Sequence, residues 1–322
     1  MKSRVDFSHT LSFEQVSEKH IPILFAWLNS SRLKGIYDNG FSSHEQLRKK
    51  YLLADSTIKR YIVCHQGSLL GYIQAYEVLP GHECEKYRKE VGSTVGIDLF
   101  IGEDSFLHKG YGFSMLKEFI PFLGKNISRI LVDPLIGNPS IKLFKKYGLI
   151  EIGQEGYHQI LSIDIRYTAR GLILNDKREL LLMRIEDNTT YDALRKDDHF
   201  WVTIGGTIEE GETEEEAVSR EIIEETGIND FSVGELAFFG QHTLLFSGFP
   251  VRHFEKYYLV HANQFDTHQE NLTHNEKQIF RELYWWPLAD LLSTKEVVYP
   301  RCLGAQMQGL MQGEKIPKEI EL

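Results

Sequence analysis

Apolar and polar positions follow two rhythms along the chain, and the switches between them mark out its elements. Over 13–28 the run Phe-Glu-Gln-Val-Ser-Glu-Lys-His-Ile-Pro-Ile-Leu-Phe-Ala-Trp-Leu puts Ile23, Leu24, Trp27 and Leu28 on one stripe. That spacing predicts an opening helix with a core-facing side. A second helix is expected over 44–53. Strand-like runs follow at 61–64 and 69–76, joined by the hairpin signal Gln66-Gly67-Ser68. The polar stretch 80–92 reads as a loop. A strand over 95–101, a glycine loop over 108–112 and a helix from Phe113 come next. A strand over 130–134 then leads to Asn138, Pro139 and Gly148, which read as N-cap, first turn and stop of a short helix. Strands at 149–152 and 158–165 close this half.

Another set of elements begins at 167. A hairpin is predicted from 172–174 and 179–184 around Asn175-Asp-Lys-Arg178, and a strand over 200–204 runs into a strongly acidic stretch. Thr213 followed by Glu216 forms a capping box, so a helix is expected from there to Gly227, the natural left-handed stop. Strands over 235–239, 255–261 and 281–286 and a helix from Pro287 complete the pattern. The length of 322 residues and the two sets of elements predict an α/β (α+β) chain of two domains, 1–165 and 166–322.

Charge changes this picture only locally. Residues 1–165 hold 20 Lys and Arg against 18 Asp and Glu, a balance of +2. Residues 166–322 hold 16 against 28, a balance of −12, and the sum is the −10 of the whole chain. Nine glutamates and one arginine between Gly206 and Ile228 account for most of the excess. No basic stripe suited to duplex nucleic acid is evident. The three cysteines are scattered, no apolar run is long enough for a bilayer, and no leader is evident, which together point to the cytoplasm. Small-molecule partners are therefore expected. The sequence leaves a single chain and a homo-oligomer equally open.

Candidate chemistry concentrates in two places. In the acidic helix, Glu221, Glu224 and Glu225 stand at i, i+3 and i+4 and share a face, where like charges repel. A positive partner is required there, and a hard divalent cation with oxygen ligands is the simplest. In the first half, strand, glycine loop and helix start combine at His108-Lys-Gly-Tyr-Gly112 into an anion cradle, since glycines let backbone N–H groups converge on phosphate. The loop lacks the third glycine and later acid of a dinucleotide fingerprint.

Gly206, Glu212, Arg220, Glu221, Ile222, Glu224, Glu225, Gly227 and Ile228 fill every defined position of G-x5-E-x7-R-E-U-x-E-E-x-G-U, and the second half resembles the Nudix hydrolases through this box. The resemblance implies an α/β/α sandwich that hydrolyses a nucleoside diphosphate linked to another moiety. It implies Mg²⁺ or Mn²⁺ held by Gly206, Glu221, Glu224 and Glu225, catalysis through Glu221 and Glu225, and a supporting pair of Arg220 with Glu212. Glu276 and Glu282 are candidates for a further acid, and Trp285 and Trp286 either stack on a base or belong to the core. The proline of ADP-ribose hydrolases and the tyrosine of diadenosine-polyphosphate hydrolases are both missing from 235–247.

The first half resembles GNAT N-acetyltransferases, and within them the aminoglycoside 6'-N-acetyltransferases, through Gly96-Ile-Asp-Leu-Phe-Ile-Gly-Glu103, the Lys-Gly-Tyr-Gly loop and Asp133-Pro with Asn138. That resemblance implies a mixed sheet with helices, acetyl-CoA as co-substrate and an amine as acceptor. Asp98 would take the amine proton, and Asp133 would be a second anionic contact for a polycationic substrate. Lys109, Gly110, Tyr111 and Gly112 would cradle the pyrophosphate, and Asn138 would meet the pantetheine end. Two positions depart from the family: Leu107 replaces a usual Gln or Arg, and Phe144 replaces the tyrosine that serves as thiolate acid. Phe144 keeps open a catalytically silent binding or dimerisation module in this half.

Overall fold

A computed structural model describes residues 11–53, 57–186, 190–191 in backbone, 199–262 and 279–322. The chain divides into two compact units, Met1–Asp164 and Ile165–Leu322. Among the described residues no helix is long and apolar enough to cross a membrane.

In the first unit β1 (Leu11–Gln15), β2 (Lys59–His65), β3 (Ser68–Glu77) and β4 (Ser93–Ile101) pair antiparallel in chain order. The 13–28 stretch is thus not one helix. Its first residues pair with β2, Phe13 opposite Val63 and Gln15 opposite Tyr61. Ser17, in an extended conformation, then separates this strand from α1 (Ile21–Leu28), whose first turn accommodates Pro22. The predicted stripe survives in the shorter helix: Leu24, Trp27 and Leu28 are buried, and Ile23 packs beside them. The helix expected over 44–53 is α2 (His44–Arg48) followed by a wider turn. Gln66 and Gly67 turn the β2–β3 hairpin at φ 48° and 77°.

β5 (Ile127–Val132) lies parallel to β4, and the crossover between them carries α3 (Tyr111–Phe122). Their register runs from Ser93 opposite Ile127 to Gly96 opposite Leu131 and stops there. Asp98 on β4 and Asp133 after β5 both lie just beyond that last pair. α4 (Ser140–Tyr147) ends at Gly148, φ 114°. β6 (Ile150–Glu155) and the first part of β7 (His158–Leu174) close the unit.

In the second unit the later part of β7 leads through the predicted turn into β8 (Leu180–Glu186), with the short β9 (Thr190–Tyr191) after it. β10 (His199–Thr207) is central: Phe200–Thr203 pair with β8 and Ile204–Thr207 with β7. α5 (Glu214–Thr226) packs beneath it through Ala217, Val218 and Ile222, against Ala169, Leu181, Ile204 and Val260. Burying Val218 and Ile222 contributes about 1.5–3 kcal/mol each. β11 (Phe231–Phe246) and β12 (Phe249–Ala262) form a hairpin far longer than the segments predicted at 235–239 and 255–261. β13 (Phe280–Trp286) pairs with β8, and α6 (Leu288–Ser293), β14 (Val298–Tyr299), α7 (Leu303–Met311) and β15 (Lys318–Glu319) follow. A second core of Leu172, Leu182, Trp201, Phe238, Leu303 and Met307 covers the face opposite α5. The unit is therefore a helix-flanked mixed sheet.

Candidate active sites

The acidic site is assembled where β10 meets α5. Thr213 Oγ1 accepts from the Glu216 N–H at 3.2 Å, and Glu216 Oε2 accepts from the Thr213 N–H at 2.8 Å. This is the predicted capping box, and Gly227 at φ 72° ends the helix. Because one face of α5 is committed to the core, the glutamates are turned toward the edge of β10. Glu221 and Glu225 are buried, while the Glu224 side chain is 46% exposed.

The glycines that lead into the helix explain how the acids fit. Glu225 Oε2 accepts from the Gly205 N–H at 2.9 Å. A Cβ on Gly206 would lie 2.2 Å from Glu221 Oε1. Position 206 is therefore glycine because a carboxylate occupies the space a side chain would take. Arg220 supplies part of the positive charge that the acids require. It donates to Glu212 at 2.9 and 3.2 Å, to Glu221 at 2.8 Å and to Glu224 at 3.1 Å. Its hydrogen bond holds the Glu212 carboxyl below the usual carboxylate range. The expected Arg220–Glu212 pair is present, and the further reach of Arg220 onto Glu221 and Glu224 is an addition to it. With carboxylate donors converging beside a glycine gap, these residues fit a hard divalent cation.

Gly205, Gly206 and Glu225 also line a cavity of about 540 Å³, whose walls include Arg170, Glu255 and Phe280. Arg170 Nε donates to Glu255 Oε1 at 3.0 Å, and Tyr257 donates to the other carboxylate oxygen. Burial pushes the Glu255 carboxyl up, but the Arg170 guanidinium outweighs it and holds the group down to about 2. Burial also lowers His253 to about 3 and His242 below its ordinary value. Trp286 is buried against Trp201, and neither Trp285 nor Trp286 lines this cavity, so the core reading of both holds. Glu282 pairs with Arg184 at 3.0 Å near the surface, and Glu276 lies outside the described residues.

In the first unit Asp98, Asp133, Asn138 and Phe144 line one cavity of about 820 Å³. Tyr72 donates to Gln74 Oε1 at 2.7 Å, and Gln74 Nε2 donates to Asp98 Oδ2 at 2.6 Å. This chain from one β3 position to the next, and on to β4, fixes the Asp98 carboxyl. Burial, with Asp133 nearby, pushes Asp98 up to about 7. Burial raises Asp133 as well.

Lys109, Gly110, Tyr111 and Gly112 stand apart from that cavity lining, at the start of α3. Gly110 takes φ 89°, no side chain among the described residues caps the helix there, and the Phe113 N–H turns back onto the Gly110 carbonyl at 2.9 Å. The Tyr111 ring is buried against Phe106 and His65. A Cβ on Gly112 would meet Leu143 Cδ2 at 3.0 Å; this glycine serves the packing of α4 on α3. α4 begins one residue later than expected, with Pro139 at its N-cap and no side-chain cap among the described residues, and Asn138 Oδ1 accepts from the Ser140 N–H at 2.9 Å just before it.

Family comparison separates the same two regions. A GNAT acetyltransferase domain matches residues 16–155, and a NUDIX domain matches residues 164–303. The chain carries a GNAT N-acetyltransferase domain followed by a NUDIX hydrolase domain. Among solved structures, the GNAT half is similar to aminoglycoside acetyltransferase AAC(6')-Ib in complex with coenzyme A. That match has 22% identity, covers 48% of this chain and 95% of the other, and has a TM-score of 0.44. Aminoglycoside N(6')-acetyltransferase from Legionella pneumophila is 18% identical over 49% of this chain and 94% of its own, with a TM-score of 0.41. Spermidine N-acetyltransferase from Vibrio cholerae, in complex with CoA and spermine, is 16% identical over 48% and 95%, with a TM-score of 0.39. No curated protein matches the chain.

Several groups in both domains escape a motif reading. In the GNAT domain Gln74, which anchors Asp98, sits in an ordinary strand. In the NUDIX domain His253, Glu255 and Tyr257 occupy the buried phase of β12, alternating with partly exposed residues. Polar side chains in the inward phase of a long strand are the signal that reveals them.

Proposed function

We propose that the protein is a bifunctional enzyme of two separate chemistries. Its NUDIX domain hydrolyses a nucleoside diphosphate linked to another moiety, with Mg²⁺ or Mn²⁺. Its GNAT domain transfers acetyl from acetyl-CoA to an amine, in a polycationic, aminoglycoside-like acceptor. The observation that carries the hydrolytic reading is the glycine gap at Gly206, filled by the Glu221 carboxylate beside the glycine-held Glu225. Gly206, Glu221, Glu224 and Glu225 would hold the cation, which when bound neutralises diphosphate charge and activates water. Glu221 and Glu225 are the catalytic acids of this reading. Arg220 and Glu212 act through them, as positioning residues that lock the helix face.

In the GNAT domain, Asp98 receives the proton of the acceptor ammonium as the amine attacks the thioester. Its elevation to about 7 suits that exchange near neutrality. Asp133 adds negative charge for a polycation, Lys109, Gly110, Tyr111 and Gly112 hold the pyrophosphate, and Asn138 stands at the pantetheine end. The free state of Cys64, Cys84 and Cys302 supports a reducing cytoplasm as the setting.

A hydrolysis screen of nucleotides and nucleotide sugars with Mg²⁺ and Mn²⁺, run beside a thiol-release assay with acetyl-CoA and polyamines, tests both halves. Glu225→Gln is expected to lower hydrolysis by about a hundredfold or more, beyond what loss of a supporting partner costs. Hydrolysis undiminished in that variant removes Glu225 from the site. Phe144, buried on the cavity wall, favours a second reading in which the GNAT domain only binds. Coenzyme A binding without thiol release from any acceptor is its signature.

A further inference from the structure

The buried hairpin β11–β12 presents a second set of donors that the glutamate site does not use. His242 and His253 are directly opposed in the register, and Glu255 lies two residues further along β12, on the same face. One ligand atom from each of the three lies within 4.8 Å of the others. The two imidazoles stack with centroids 5.1 Å apart and planes 11° from parallel.

These rings are short of partners. His253 is 4% exposed, and among the described residues neither of its nitrogens has a hydrogen-bond partner, nor has the buried Nδ1 of His242. A buried polar atom left unpaired costs about 1–3 kcal/mol. Three such nitrogens on one hairpin face form a costly arrangement unless a ligand completes it. Glu255, by contrast, is firmly oriented by Arg170, Thr168 and Tyr257. Outer hydrogen bonds of this kind are what fix a metal-binding carboxylate in place.

We infer that His242, His253 and Glu255 form a transition-metal site of the zinc type, separate from the glutamate cluster on α5. Two imidazoles and a carboxylate suit Zn²⁺ and its neighbours in the first transition row, whereas the all-oxygen set of the acidic helix suits Mg²⁺ or Mn²⁺. Bonds of about 2.0–2.2 Å to one ion require the two imidazoles to turn toward the fixed Glu255 carboxylate. All three residues line the cavity of about 540 Å³ that Gly205, Gly206 and Glu225 also line. Three protein donors facing a cavity leave a coordination position for water or a bound molecule, the pattern of reactive rather than purely structural zinc sites.

The test uses the full chain, stripped with a chelator and titrated with Co²⁺, then with Zn²⁺. Visible d–d absorption of a four-coordinate Co²⁺ with imidazole ligands is expected, saturating at one ion per chain and bleached by Zn²⁺. His253→Ala and, separately, the more accessible His242→Ala should each weaken Co²⁺ binding by at least about tenfold, with circular dichroism confirming that the variants fold. A Glu221→Gln/Glu224→Gln variant should leave the bands intact while Mg²⁺-dependent hydrolysis falls. Absence of the bands, their persistence in folded His242→Ala, or their loss in the glutamate variant alone overturns the inference. None of these optical outcomes depends on the hydrolytic reading, so the two can fail independently.

Discussion

The carboxylates of the two candidate sites are held in opposite ways. In the NUDIX domain Glu212, Glu221 and Glu224 share the Arg220 guanidinium, and Glu255 shares that of Arg170. In the GNAT domain Asp98 is held by the neutral amide of Gln74, with the acid Asp133 close enough to oppose its charge. A guanidinium keeps a carboxylate ionised and directional, while burial beside another acid makes it exchange protons near neutrality. The difference separates carboxylates built to stay charged from one built to change charge.

Replacing Asp98 tests the proton-exchanging side and carries the largest expected effect. Asp98→Asn is expected to slow acetyl transfer by about 10²–10⁴-fold, the usual contribution of a positioned base. In the parent protein the rate should rise with pH through about 7, where Asp98 loses its proton, and that limb should vanish in the variant. A pH–rate profile of thiol release decides it, and an unchanged limb would detach Asp98 from the reaction.

On the charge-keeping side, Arg170→Met leaves Glu255 buried without its cation and is expected to cost about 3–5 kcal/mol in a denaturation experiment. The sign with pH follows from the depressed value. The contribution of Glu255 is present above the ordinary 4.5 and is lost as pH falls toward about 2, so the parent's advantage over the variant shrinks in acid. Arg220→Gln removes the positioning group that contacts Glu221 and Glu224 while leaving every proposed metal ligand in the chain. Hydrolysis should drop by about 10–100-fold and partly recover at higher Mg²⁺, a recovery that a mere folding defect would not give. The smallest effect belongs to Gln74→Leu. Loss of its hydrogen bond removes an influence that lowers Asp98, so the midpoint of the acetyl-transfer profile should move upward.

How much of this was legible in the sequence depended on whether the information was local. The α5 boundaries were, because Thr213, Glu216 and Gly227 are chemical punctuation within one helix. The stop of α4 at Gly148 was legible for the same reason. The stretch before Pro22 was misread because pairing of Leu11–Gln15 with β2, some fifty residues away, overrides a helical stripe. The β11–β12 arms were underestimated because their polar inward residues break the apolar alternation that marks a strand. The Gln74–Asp98 and Arg170–Glu255 contacts join separate strands and carry no local signature. Leu143 stands where a Cβ on Gly112 would meet it at 3.0 Å, a closeness between two helices that only the tertiary arrangement exposes.

Phe144 has a consequence for energetics as well as for identity. On the proposed acetyl transfer, a cavity wall that offers no proton at Phe144 leaves the departing sulfur to carry its own negative charge. The acidity of the thiol then becomes part of the enzyme's selectivity. Donors whose thiol is a stronger acid gain an advantage that a tyrosine in place of Phe144 would flatten.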